Sequence, residues 1–371
     1  MNLHPAHPAH QAPRALATLA ALHASLDQIQ DHPPEYGDQL SSHLPMAVHA
    51  LYQLGAEAEQ LEGFASTYAA RFEGRRLDEA GQVLPDWREA MGQFDAFADL
   101  RCSFAEELAR RGRDELLGQA LPVLLPGMSA VAFHGLIRTA HAVEGGHDGE
   151  LASALAYWAC RWQTLPPPPS PPPSPPPSPP PSTMASPASP PGRAMDLAAW
   201  SQALVDGARG WRSEAPLIFL RMQEASATPL YAELVHGLEP ESLLAQRVAQ
   251  LAHLALGYYL ASGNFTVLHM ITGLRALRVL LPWLPQRLHV DPAVQHLLGQ
   301  AFVAAYLAGR VQVRPQANEA SPLLSWPELA AAACGSKDDH AIKLVHACGD
   351  EMAVYGDRRY VQAAALALRS G

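Results

Sequence analysis

The sequence predicts an all-α protein: one large helical domain interrupted by a proline-rich insert. Three observations carry that prediction. Apolar residues recur at steps of three and four along most of the 371 residues, the spacing of one helix face. The only short strand candidate is RVQVRP, residues 310 to 315, and no longer run alternates β-branched with polar residues. The breaks between periodic stretches fall on Gly and Pro, as in LPGM, LPWLP and GDRR.

Taken in order, LATLAALHASLDQIQ, SSHLPMAVHALYQLGA, EAEQLEGFASTYAARF and FDAFADLRCSFAEELARR each read as a helix with one apolar face. FHGLIRTAHAVE and ELASALAYWACRW follow with the same helical spacing. Residues 165 to 192 are proline repeats ending in a Ser-Thr-Ala-rich stretch. Proline lacks an N–H and restricts the residue before it, so an extended polyproline spacer is expected there. Helical spacing then resumes in ESLLAQRVAQLAHLALGYYLA, FTVLHMITGLRAL and DDHAIKLVHAC. The domain reading is therefore an N-terminal helical half over 1–164, the spacer over 165–192, and a C-terminal helical half over 193–371. A repeat period of 30 to 45 residues is not evident, which disfavours a solenoid.

A net charge of −10 and the lack of a basic stripe argue against nucleic-acid binding. Four cysteines without C-x-x-C spacing read as free thiols in a reducing compartment. The N-terminal residues lack a charged region followed by an apolar run, and no stretch of 18 residues is uninterruptedly apolar. A cytoplasmic protein with no membrane partner is expected.

The familiar catalytic signatures, G-x-S-x-G, the phosphate-binding G-x-x-x-x-G-K-[ST] and H-E-x-x-H, are missing, and no well-placed dinucleotide fingerprint occurs. Histidine is the unusual feature, with 17 in the chain. Those near the N-terminus and those scattered at positions 23, 147, 236, 253, 289 and 296 show no partner spacing. The rest fall in four apolar segments: His43 and His49, His134 and His141, His269, and His340 and His346. Imidazole is a common ligand for iron, zinc and copper, and helical proteins assemble metal sites from inward-facing side chains of different helices. Spacing alone leaves a multi-histidine metal site and buried core histidines both open.

Lysine usage adds a second anomaly. Of 26 basic residues only Lys337 and Lys343 are lysines, so the other 24 are arginines. Lys343 lies three residues after His340, on a neighbouring position of the same helix face. It could simply pair with Asp339, four residues before it.

The four histidine segments, in this order, resemble the questin oxidase-like family, whose fungal members oxidise anthraquinone-type polyketides. His43 stands before a PM helix ending in LG, His134 opens HGLIR, His269 with Thr272 and Gly273 forms an LHxxTG segment, and His340 and Lys343 lie in DDHAIK. The resemblance implies an oxidoreductase with a mononuclear non-haem iron (Fe2+) held by His43, His134, His269, His340 and a carboxylated Lys343. A carbamate needs a primary amine, which arginine cannot offer. His141 and Asp339 are the further catalytic candidates, Asp339 either steadying a ligand imidazole or capping the helix together with Asp338. The expected reactants are dioxygen and an aromatic or polyketide-like small molecule, with ring C–C cleavage or oxygen insertion. Two rivals remain: an NADPH-dependent Baeyer–Villiger-type monooxygenase, and a non-enzymatic helical interaction protein that uses the proline-rich spacer.

Overall fold

The computed structural model describes residues 16–77, 81–167, 195–312 and 324–370. Among them are sixteen α-helices, joined by short 3-10 turns. The only strands in this set are a two-residue antiparallel pair, Glu35–Tyr36 with Leu40–Ser41. The all-α class is as the periodicity predicts. Val311 and Gln312 of RVQVRP lie in irregular chain, and the remainder of that candidate lies outside the described residues. Most of the proline-rich spacer, from residue 168 on, lies outside them too, as do His4, His7 and His10.

Four helices sit at the centre. They are Leu44–Gln53, capped by His43, then His134–Gly145, Phe265–Leu280 and Asp339–Tyr355. We call them the His43, His134, His269 and His340 helices. The first three lack a polar stripe over most of their length, and a helix that is apolar all round belongs inside. Leu44 through Leu51, His134 through Val143 and Thr266 through Leu277 are buried without interruption. The His43 helix packs on the His134 and His340 helices, and the His269 helix packs on the same two, so the four close into a ring. The window Phe265–Trp283 is long and apolar enough to span a membrane, yet 83% of it is buried within this ring and its surroundings.

The other helices form the wall. Asp148–Cys160 lies against the His134 helix, and Gly135 makes the close approach possible, since a Cβ there would stand 2.8 Å from the Trp158 Cα. Leu244–Ser262 covers the His269 helix, and Arg359–Ser370 covers the His340 helix. A smaller apolar cluster from the N-terminal elements, including Leu22, Leu51, Leu61 and Phe72, closes on Ile342 of the His340 helix. Local signals agree with these ends. Asn264 accepts from the backbone N–H of Thr266 and Val267, Asp338 accepts from the His340 N–H at 2.8 Å, and Gly146 and Gly356 end their helices with positive φ.

Candidate metal centre

All four ring helices run in the same direction. Neighbouring pairs meet near their N-terminal ends through the histidines and again further on, at His49, His141 and His346 and at Arg275 with Glu144 and Asp350, so the ring carries two levels of side chains. The upper level holds His43, His134, His269 and His340. Ring centroids are 4.6 Å apart for His43 and His134, 4.4 Å for His43 and His340, 5.0 Å for His134 and His269, and 5.4 Å for His269 and His340. One donor nitrogen from each of His43, His269 and His340 lies within 4.8 Å of the others, and the Nε2 atoms of His43 and His134 are 2.6 Å apart. Residues on both sides of the proline-rich segment thus share one cluster.

The second nitrogen of each ring is assigned by an oxygen. His43 Nδ1 donates to Asp339 Oδ1 at 2.7 Å, and His340 Nδ1 lies 2.8 Å from the same oxygen. His269 Nδ1 donates to the Phe265 carbonyl at 2.9 Å, and His134 Nδ1 donates to the Val131 carbonyl. A neutral imidazole with its proton on Nδ1 presents a bare lone pair at Nε2. Burial, more than the neighbouring Lys343 and His340 charges, pushes His43 down to about 3; burial first also holds His134 and His269 well below the usual histidine value. Neutral rings with outward Nδ1–H groups leave the Nε2 lone pairs of His43 and His134 facing each other.

The turn that aims His134 is strained. Val131, Ala132 and Phe133 all have positive φ, at 42°, 56° and 70°. For non-glycine residues each such conformation costs about 1–3 kcal/mol and persists only when the surroundings fix it. Phe133 is fixed by Gly273 of the LHxxTG segment, where an added Cβ would stand 3.1 Å from the Phe133 ring. Gly273 therefore serves the turn that presents the Val131 carbonyl to His134.

Asp339, expected as a catalytic candidate, touches two of the four histidines and is buried. Its other oxygen accepts from Arg71 Nη1 at 2.7 Å. Burial opposes its ionisation, but hydrogen bonds from His340 and His43 hold the carboxyl far below its ordinary range. Asp338 takes the helix cap, so the two roles expected of this acidic pair are divided between them.

Lys343 is 2% exposed and makes no ion pair among the described residues. Pairing with Asp339, the ordinary role available to it, is taken instead by Arg71 and the two histidines. Burial pulls the amine down to about 8, against the opposing pull of Asp339 and Asp338. Its charge bears on His43, His134, His269 and His141. Lys337 is exposed.

The upper level reaches solvent on one side. The His340 side chain is 22% exposed, and Phe265, 53% exposed, packs its ring on both His269 and His340 with centroids 4.8 and 4.6 Å away. On the far side of Arg71 lies a groove of about 390 Å³ lined by Phe64, Tyr68, Arg71 and Lys337 among others. Tyr68 Oη accepts the His43 backbone N–H at 2.8 Å, so a wall of the groove is one residue from the cluster.

His141 lies on the lower level, two turns from His134, where it meets His49 and His346. The fourth corner there is Arg275, on the His269 helix, which binds Glu144 and Asp350. The family resemblance assigns His49 and His346 no role, and no local signal marks Arg275 or the Val131–Phe133 turn.

An all-α ring that gathers these segments defines a helical protein with a buried histidine cluster. The questin oxidase-like family model matches residues 40–348, and the chain belongs to that family. Membership makes it an oxidoreductase acting on a small molecule. No curated protein matches the chain.

Proposed function

We propose that the upper level binds a mononuclear non-haem iron through the Nε2 atoms of His43, His134, His269 and His340 and through a carbamate on Lys343, and that the protein oxygenates an aromatic or polyketide-like substrate. The supporting observation is the pair of Nε2 atoms 2.6 Å apart on rings whose Nδ1 hydrogens are both engaged elsewhere. Two lone pairs at that distance repel unless a cation lies between them. Four such nitrogens suit iron, copper, nickel or zinc, and of these the oxidase class needs a metal with accessible redox states. Bound there, iron would supply one-electron chemistry with dioxygen.

The chain's own residues prepare the site. Asp339 fixes the tautomer and orientation of His43 and His340 together, and raises the basicity of both rings. Arg71 holds Asp339 in turn. The Lys343 ammonium, once it has lost a first proton, can form an N–C bond to carbon dioxide with release of a second, so that a buried cation becomes an anion with two oxygens. That change removes the positive charge that disfavours a metal ion among these imidazoles. His43, His134 and His340 stand at the first positions of their helices, whose N-terminal N–H groups favour the same anion. Phe265 shields the exposed edge, and the groove beyond Arg71 has the size of a small-molecule site, with Arg71 and Lys337 positioned for an acidic phenol or carboxylate.

Lys343→Arg tests the reading. Iron retained after desalting should fall by about one equivalent relative to the parent, while Lys337→Arg should match the parent. Labelled ¹³C-bicarbonate should give a carbamate carbon resonance in the parent and none in Lys343→Arg. Full iron content in Lys343→Arg would remove the lysine from the ligand set, and full content in His269→Ala would end the four-histidine centre.

A further inference from the structure

We infer that the lower level of the ring, His49, His141 and His346 with Glu144, is a second site for a divalent first-row transition metal, separate from the four-histidine centre. It does not depend on the upper site holding iron.

The three imidazoles come from three different helices and meet at one point. His49 Nδ1 and His141 Nδ1 are 2.9 Å apart, and the ring centroids are 5.1 Å apart for His49 and His141, 5.6 Å for His49 and His346, and 5.3 Å for His141 and His346. One donor atom from each of His49, Glu144 and His346 lies within 4.8 Å of the others. Gly145 leaves room for this approach, because a Cβ there would stand 3.2 Å from His49 Cδ2. Three imidazoles and a carboxylate are a donor set for iron, zinc, copper or cobalt.

Hydrogen bonding alone does not account for the cluster. A chain from Gln53 to His49 to His141 would satisfy two of the rings, since Gln53 Nε2 lies 3.2 Å from His49 Nε2. His346 is left out of that chain. Its Nδ1 is buried and has no hydrogen-bond partner among the described residues, a loss of about 1–3 kcal/mol for a buried polar atom. With the Gln53 carbonyl oxygen turned toward His49 Nε2–H, His49 Nδ1 becomes a second free lone pair beside His141 Nδ1. A metal ion would then satisfy all three rings.

Charge and access agree. Arg275, whose charge bears on all three imidazoles, is matched by Glu144 and Asp350, and Arg278 by Asp350 and Glu351. Glu144, 25% exposed, gives a cation a route from solvent. Six or seven residues of helix separate this level from the upper one, about 9–10 Å along the axis, too far for one ion to serve both.

Cobalt(II) titration of the chelator-stripped full chain, counted after desalting, tests the site. The parent should hold two equivalents. His269→Ala should keep one, His346→Ala should keep one, and the double variant none. Glu144→Gln should weaken the second equivalent at least about tenfold. A parent that holds a single equivalent, lost in His269→Ala and kept in His346→Ala, overturns the second site and leaves the upper centre standing. The reverse pattern sinks the upper centre and supports this one. If His346→Ala does not fold, the parent count and Glu144→Gln at its partly exposed carboxylate decide: two equivalents with weakening support the site, and one equivalent, or two without weakening, overturns it.

Discussion

The two levels of the ring are built from the same four helices and differ at one corner and in one habit. Three corners carry histidine twice: His43 and His49, His134 and His141, His340 and His346. The fourth carries His269 above and Arg275 below. Above, each Nδ1 hydrogen has an oxygen partner that fixes which nitrogen faces inward. Below, His346 Nδ1 has none, and Arg275 ties the helices together through Glu144 and Asp350. The upper level is therefore oriented for ligation, whereas the lower level combines a looser donor set with an ionic lock. A count of histidines does not separate these; the partners of their outer nitrogens do.

Breaking the lock should have the largest effect on stability. Arg275→Met takes the guanidinium from Glu144 and leaves Asp350 with Arg278 alone, and a loss of about 3–5 kcal/mol is expected. Urea denaturation reads it directly, and a loss under about 1 kcal/mol would mean that the lower corner is not held by charge. Acidification should affect both levels. His43 above and His49 below are held at about 3, against about 6.5 in an unfolded chain, so the unfolded state binds more protons between those values. Stability of metal-stripped protein is then full above about pH 6.5 and falls as pH drops, by about 1.4 kcal/mol per pH unit for each of the two. The other buried histidines act in the same direction, and a denaturation midpoint flat from pH 6.5 to 5 would contradict neutral rings. The smallest effect concerns the spacer. Replacing residues 166–191 by a short flexible linker should change stability by less than about 1 kcal/mol and leave metal uptake at both levels intact. Lost uptake with retained helicity would show that the insert takes part in closing the ring.

Much of this was legible in the sequence, for identifiable reasons. Helical spacing gave the class, and the order of HGLIR, LHxxTG and DDHAIK brought His43, His134, His269, His340 and Lys343 forward together. The second level was harder to see. Residues seven apart are nearly eclipsed on a helix, so spacing could not say whether His141 shared a site with His134 or formed another. The roles of Gly135 and Gly273 depend on Trp158 and Phe133, which tertiary packing brings near them. Arg71, which orders Asp339 from 268 residues away, carries no local mark at all.

The common direction of the four helices has a consequence for how the site comes into being. Each joins its neighbours only across long stretches of chain, and His43 meets Asp339 across 296 residues. Contacts of such sequence separation form slowly, after local structure, because the intervening chain must first be ordered. During synthesis the helix bearing His340 and Lys343 emerges last of the four, after the other three have left the ribosome. Neither the fourth imidazole nor the amine exists while the rest of the ring is folding. Any metal loading or lysine modification would therefore have to follow the emergence of this last ring helix, since a chain that lacks it has three corners and an open side.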